Sequence, residues 1–334
     1  MSREQDILAR SRRISSSHDL PHPRQFPPRP SSPHRVDAVA MNSLQYDLQS
    51  NGFLVRSTRL RQLGHSRAVV AAALADGRLY RPARLWVATR LAQRDAVIAV
   101  LHRGMLTSAS ALGSMGIWRG RDRSIHVLIP PTSNAQVTRP LVPLTTFAQP
   151  RHLTHGVIRH WGTEQSPLDG QPQWRVSAVD ALTAFARHAS PEDFVAAVDS
   201  GLHTGVLPPS ALALLPARLQ PLLARIDGRA ESGTESICRL RLGSLASRID
   251  IQVEIGPFRV DLLIDGWLAI EIDSEEWHGS TRVDDLTKSA WLTARGYRVE
   301  HFDYSQVMNA WATVESAIRQ ALGRPRPAPR SARR

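Results

Sequence analysis

Acidic side chains occur inside short apolar runs in the last third of the chain, where they could bind a cation. Asp261 interrupts the apolar run 258–264, while Glu271 and Asp273 alternate with isoleucines at the end of the run 268–273. Isolated carboxylates in apolar strands are costly unless they are paired or bound to a cation. The pattern therefore predicts a metal site made by Asp261, Glu271 and Asp273. The alternative is that these carboxylates only face water on an edge strand.

Hard oxygen ligands at this density fit Mg²⁺ or Mn²⁺ better than zinc, and Cys238 is the only cysteine in the chain. Such an ion lowers the pKa of bound water and stabilises charge on a phosphodiester. His278 follows Asp273 by five residues, where it could act as a proton donor, a base or a phosphate contact. We therefore expect metal-dependent phosphodiester hydrolysis.

The elements that would position these groups can be predicted from apolar spacing. A helix begins near Ser232 or Thr234 and carries Glu235, and the last helix has apolar residues at helical spacing over 307–322. Between them, strands are predicted at 249–255, 258–264, 267–273 and 297–301, with a helix at 284–294 before the fourth strand. The predicted order is helix, three strands, helix, strand, helix.

The loop between the second and third strands decides whether the carboxylates can meet. A two-residue turn at Asp265-Gly266 would place Asp261 and Glu271 on different faces of the sheet. A three-residue loop pairs Ile264 with Leu268 and brings Asp261 opposite Glu271. We predict the second register, or an equivalent bulge.

Residues 231–323 resemble a Vsr-like endonuclease domain, a branch related to the very-short-patch-repair nucleases with the restriction-endonuclease fold. The resemblance rests on Ser232-Gly-Thr-Glu235, Arg259-Val-Asp-Leu262, Ile270-Glu-Ile-Asp273, Glu276-Trp-His-Gly279, Asp284-Asp285 and Ala294-Arg-Gly-Tyr-Arg-Val299. It implies that Asp261 and Glu271 are the acidic pair of that fold, and that Asp273 stands where the fold has a lysine.

The same resemblance implies roles for four further residues. It makes Glu235 a helix-borne carboxylate of the site and His278 the histidine of the branch. Asp285 matches a frequent acidic position, which charge at a helix N-terminus would also explain. Lys288 falls where the branch has arginine; it could approach a phosphate or pair with Asp284 four residues earlier.

Residues 41–90 predict a winged-helix DNA-binding domain: three short helices, the second and third capped by Ser57 and Ser66, followed by a hairpin around Pro82. The run 60–67 with 77–81 resembles the N-terminal domain of AbiEi-type antitoxins. The candidate phosphate contacts are four arginines: Arg67, Arg78, Arg81 and Arg84. The alternative is a winged helix that contacts protein.

The remaining segments carry less information. Residues 1–40 are rich in proline and serine and predict a disordered extension, and residues 324–334 predict a basic disordered tail. Residues 91–230 predict a connecting α/β domain. Four histidines there show no metal-ligand spacing, and we expect them to be scattered: His152, His155, His160 and His188.

Charge favours a nucleic-acid partner. Lys and Arg total 42 against 30 Asp and Glu, and residues 41–104 hold 10 basic and 3 acidic side chains. An arginine-rich composition is the alternative, since Lys288 is the only lysine. No apolar run approaches the length of a membrane span, so a cytoplasmic protein is expected.

Three functions are compatible with these sequence patterns. The first is an Mg²⁺-dependent endonuclease acting on double-stranded DNA. The second is an antitoxin-type DNA-binding transcriptional regulator with an inactive nuclease-like domain and a protein partner. The third is a non-catalytic interaction protein.

Overall fold

The computed structural model describes residues 43–132, 136–149, 156–163, 171–273 and 282–326. Several predictions therefore lie outside the described residues: the extension 1–40, most of the tail 324–334, and the residues His152, His155 and His278. No helix in the described part of the chain is both long enough and apolar enough to cross a membrane.

The N-terminal elements run in the order helix, strand, helix, helix, strand. Residues 43–50 form helix α1. They are followed by β1 (Leu54–Arg56), α2 (Ser57–Gln62), α3 (Arg67–Ala75) and β2 (Trp86–Ala88). Strand β1 pairs with β2 in antiparallel fashion, and Tyr80 bridges Ala88. The sequence did not predict β1, because three residues are too few to show alternation.

Only one of the two predicted serine caps forms. Ser66 Oγ accepts a hydrogen bond from the Val69 N–H at 3.2 Å and caps α3 as predicted. The cap predicted at Ser57 was wrong, because α2 begins at Ser57 itself and its N-cap is Arg56. The Ser57 hydroxyl is buried with no hydrogen-bond partner among the described residues.

The middle segment is mixed α/β, as predicted. It contains α4 (Arg94–Leu101), β3 (Met105–Leu106), α5 (Ser108–Ser114), β4 (Ile125–Ile129), β5 (Val157–Trp161), α6 (Ala178–Phe185), α7 (Pro191–His203) and α8 (Gln220–Leu223). Its sheet has the order β3-β4-β5, with β4 and β5 parallel. One hydrophobic core extends from Leu54 through this segment to Leu219, so the predicted boundary near residue 90 lies within a shared cluster.

The C-terminal elements match the predicted order until the last helix. They are α9 (Gly233–Leu242), β6 (Ile249–Ile255), β7 (Phe258–Ile264), β8 (Leu268–Asp273), α10 (Arg282–Ala294) and β9 (Arg298–Asp303). The prediction of a single last helix was wrong, because the chain forms two helices there, α11 (Tyr304–Asn309) and α12 (Trp311–Leu322). The break falls at Ala310, whose φ of −129° and ψ of 37° are not helical. The sheet order is β6-β7-β8-β9, with only β8 and β9 parallel.

Strands β6 and β7 change the face they present halfway along. Ile251 and Leu262 pack in the core with α9 and α12, whereas Val253 and Val260 pack in the cluster that includes Leu292 of α10. The uniform alternation expected for 249–255 is therefore broken at Gln252, which has a φ of +52°. Helix α9 and helix α10 consequently approach the sheet at the point where its faces change.

We expect Gly256→Ala, in the turn between β6 and β7, to destabilise the protein more than Gly266→Ala. Both glycines have positive φ, but a Cβ at Gly256 would clash with the ring of Trp291, whereas no atom of the described residues lies within 4 Å of one at Gly266. The left-handed backbone costs an alanine about 1–2 kcal/mol at either site, and the clash should add about 1–3 kcal/mol at Gly256. Urea unfolding measures both; equal losses would contradict this packing.

Candidate active site

The hairpin between β7 and β8 has the register that the carboxylates require. Ile264 pairs with Leu268 and Leu262 with Ile270, which confirms the predicted three-residue loop. One further step in this register places Asp261 beside Glu271. The Ile272 N–H donates to Asp261 Oδ2 at 2.8 Å and fixes that side chain at the end of the paired region.

Glu235 joins this pair from helix α9. Ser232 caps the helix by accepting the Glu235 N–H, so Glu235 lies in the first turn. Its Oε2 accepts hydrogen bonds from the Glu231 N–H at 2.9 Å and from Gln252 Nε2 at 2.8 Å. Only 7% of Glu235 is exposed, so it belongs to the interior of the site rather than to the surface.

Lys288 of helix α10 supplies an ammonium group to the site. Its Nζ lies 2.6 Å from Glu271 Oε2, and both side chains are largely buried. Lys288 was predicted to contact DNA, with a pair to Asp284 as the alternative. The structure instead gives it Glu271 as partner. Glu271 Oε1 is buried and has no hydrogen-bond partner among the described residues.

Burial makes the ionised carboxylates of this group expensive. Desolvation, reinforced by the Asp261 charge, raises the pKa of Glu271 to about 7, although Lys288 opposes the shift. Desolvation and Asp261 likewise raise the pKa of Glu235 to about 6. Desolvation also raises the pKa of Asp261. One ammonium therefore does not compensate for three neighbouring carboxyl groups.

The structure brings together Glu235, Asp261 and Glu271 but not every predicted site residue. Asp273 lies at the exposed end of β8, opposite Asp303 of β9. Asp285, on the first turns of α10, is close enough to raise the pKa of Glu271. In the described ranges no three His, Cys, Asp or Glu side chains have the arrangement of a formed metal site.

The chemistry of the donors nevertheless fits a hard divalent cation. Asp261 and Glu271 each commit one oxygen to a donor within the protein. Glu271 Oε1, which has no partner among the described residues, still requires a positive or donating neighbour. Bringing a cation to this position would offset the unfavourable ionisation of both side chains.

Sequence reasoning missed Gln252, which contacts two of the carboxylates. Its amide donates to Glu235 and also interacts with Asp261, lowering that pKa. In the pattern of β6 this residue is one more polar position between isoleucine and valine. Its positive φ depends on the folded sheet, so the sequence offers no signal for it.

The predicted phosphate-binding arginines have different environments. Arg67 and Arg84 are exposed. Arg78 forms an exposed ion pair with Asp76, and an Arg81 guanidinium N–H donates to the Arg84 carbonyl oxygen at 3.0 Å. Among the described residues, the guanidinium groups of Arg67 and Arg84 are therefore free of the contacts that those of Arg78 and Arg81 make.

Two of the histidines expected to be scattered are in fact clustered. His160 and His188 lie beside His126, with ring centroids 5.1 and 4.9 Å from its ring. His126 Nδ1 is 2.9 Å from His160 Nε2, and Ser108 Oγ is 2.7 Å from His188 Nε2. Strands β4 and β5 carry His126 and His160, so the sheet brings together residues that are far apart in the sequence.

Comparisons with known proteins add little. No protein-family model matches the chain, and no curated protein matches it significantly. Among solved structures, the chain is similar to the catalytic domain of the homing endonuclease I-Bth0305I. The two share 20% identity over 26% of this chain and 90% of that one, with a TM-score of 0.24. A likeness at this score carries no functional argument.

We expect Glu271→Gln to become more stable relative to the metal-free wild type as pH rises. A pKa raised from 4.5 to about 7 means that stability is fully present below pH 4.5 and is lost as pH rises through about 7. A shift of this size corresponds to about 3 kcal/mol. Denaturant unfolding from pH 5 to pH 8 measures the difference; a constant difference would contradict the buried, uncompensated carboxyl group.

The histidine cluster should have the opposite effect on the pH dependence of stability, because it should destabilise the folded protein as pH falls. Burial and the neighbouring His126 lower the pKa of His160 and His188. Their contribution to stability is therefore present above the unfolded pKa of about 6.5 and is lost as pH falls through and below it. His160→Gln should reduce this loss in thermal melts between pH 7.5 and pH 5, whereas the exposed His203→Gln should not.

Proposed function

We propose that this chain is a divalent-metal-dependent endonuclease that hydrolyses phosphodiester bonds in double-stranded DNA. The observation that supports it best is the juxtaposition of Asp261 and Glu271 across β7 and β8, where both carboxyl groups have raised pKa values. A fold that needed only a stable strand would place apolar residues at these positions. Their retention is explained by a cation that they bind.

In this proposal Asp261 and Glu271 hold Mg²⁺ or Mn²⁺, with Asp273 at the exposed end of the same strand. The ion would lower the pKa of a bound water and offset charge on the phosphodiester. Glu235 adds negative charge on the side of Asp261 that faces α9. Lys288 favours the ionised form of Glu271, which is the form a cation needs. His278 keeps its predicted role as a proton donor, base or phosphate contact.

The basic front half of the chain would supply affinity for DNA. Residues 43–90 follow the order of helices and strands in a winged helix, and we propose that they bind the duplex through phosphate contacts. Arg67 and Arg84 are the best placed of the predicted contacts, because both are exposed. In this proposal residues 43–90 bind DNA, and the carboxylates of the acidic C-terminal third bind the metal.

Replacing either central carboxylate should abolish cleavage without abolishing DNA binding. We expect Asp261→Asn and Glu271→Gln to lower Mg²⁺-dependent cleavage of plasmid DNA by about 100-fold or more, a size typical of losing one catalytic electrostatic group. Gel shifts in EDTA should change little, because the arginines supply the affinity.

Glu254→Gln is the matched control, since Glu254 is an exposed carboxylate on β6 outside the site. It should cleave like the wild type. Wild-type protein that binds DNA but never cleaves it with Mg²⁺ or Mn²⁺ would overturn the nuclease and favour the DNA-binding regulator. Cleavage that survives both site substitutions would show that the reaction occurs elsewhere.

A further inference from the structure

We propose that Gln252 is a positioning residue that holds Glu235 and Asp261 together in the geometry needed to bind the cation. The inference rests on the proposed function and extends it to a side chain outside the predicted site. It is drawn from the backbone of β6, from the contacts of the Gln252 amide and from the position of Gln252 opposite Asp261.

The backbone at Gln252 is held in an unfavourable conformation. Its φ of +52° lies in the left-handed region, although its neighbours Ile251 and Val253 both pair regularly with β7. Left-handed backbone is costly for a residue with a long side chain, and such strain persists only where the surrounding structure imposes it. Nothing in a regular antiparallel pair requires it.

The consequence of this conformation is the direction of the side chain. Continuing the β6–β7 register places Gln252 opposite Asp261, at the point where both strands change face. From there Gln252 Nε2 reaches Glu235 Oε2 at 2.8 Å, across from the sheet to helix α9. The amide also interacts with Asp261. One side chain thus contacts carboxylates from two different elements.

A glutamine suits this position because its NH₂ group offers two donors and no charge. Two neighbouring carboxylates repel each other, and a neutral donor between them reduces the repulsion while leaving both negative charges for a cation. A lysine at this position would add a second ammonium to that of Lys288 and compete with the metal. A glutamate would add a third negative charge.

The variants Gln252→Gly and Gln252→Asn distinguish the role of the Gln252 side chain from that of its backbone conformation. Glycine and asparagine both tolerate a positive φ better than glutamine, and this gain offsets the loss of the amide hydrogen bond to Glu235, so the urea midpoint of both variants should stay close to that of the wild type. Glycine removes the amide, and asparagine is one methylene too short to bridge the two carboxylates. We expect both to bind Mn²⁺ at least about 10-fold more weakly in calorimetry, a size typical of losing a group that orients metal ligands.

The urea midpoint of each variant is measured beside its Mn²⁺ affinity. Weaker Mn²⁺ binding at an unchanged or raised midpoint supports the inference, because a purely structural role would lower the midpoint first. Wild-type affinity in both variants overturns the role of Gln252 but leaves the nuclease intact. Absence of Mn²⁺ binding by the wild type itself, with no cleavage, overturns both proposals.

Discussion

The charge imbalance among three neighbouring carboxyl groups is the constraint on which the candidate site depends. Glu235 and Glu271 are buried, and Asp261 is half-buried. The ammonium group of Lys288 forms an ion pair with Glu271. Ionising this group in a metal-free protein is costly, as the raised pKa values of Glu235 and Glu271 show. Such a cost is offset when a bound cation stabilises the ionised carboxylates.

The register of the strands and the packing of the helices in the C-terminal fold place these side chains close together. The three-residue loop after β7 sets the register that aligns Asp261 with Glu271. The change of face at Gln252 and Asp261 lets α9 approach with Glu235 from one core and α10 with Lys288 from the other. The site therefore lies where two hydrophobic cores meet across one sheet, which holds its groups on rigid elements rather than on loops.

Much of this architecture could be predicted from apolar spacing, because the apolar residues of β6 and β7 mark two strands that end before Gly256 and Gly266. The hairpin register followed from requiring the carboxylates to meet. The pairing of Lys288 with Glu271 could not be predicted, since it depends on how α10 packs. The histidine cluster could not be predicted either, because it depends on the pairing of parallel strands that bring His126 and His160 together across 34 residues of sequence. Short β1 and the break at Ala310 carry too little local signal.

A crystal structure with Mn²⁺ and a DNA duplex, with data collected for anomalous scattering, would locate the cation directly. We expect a manganese peak at coordination distance from the carboxylates of both Asp261 and Glu271, with Glu271 Oε1 among its ligands. A structure in which DNA is bound but no manganese lies between these residues, while Lys288 remains the sole partner of Glu271, would contradict the proposed metal site.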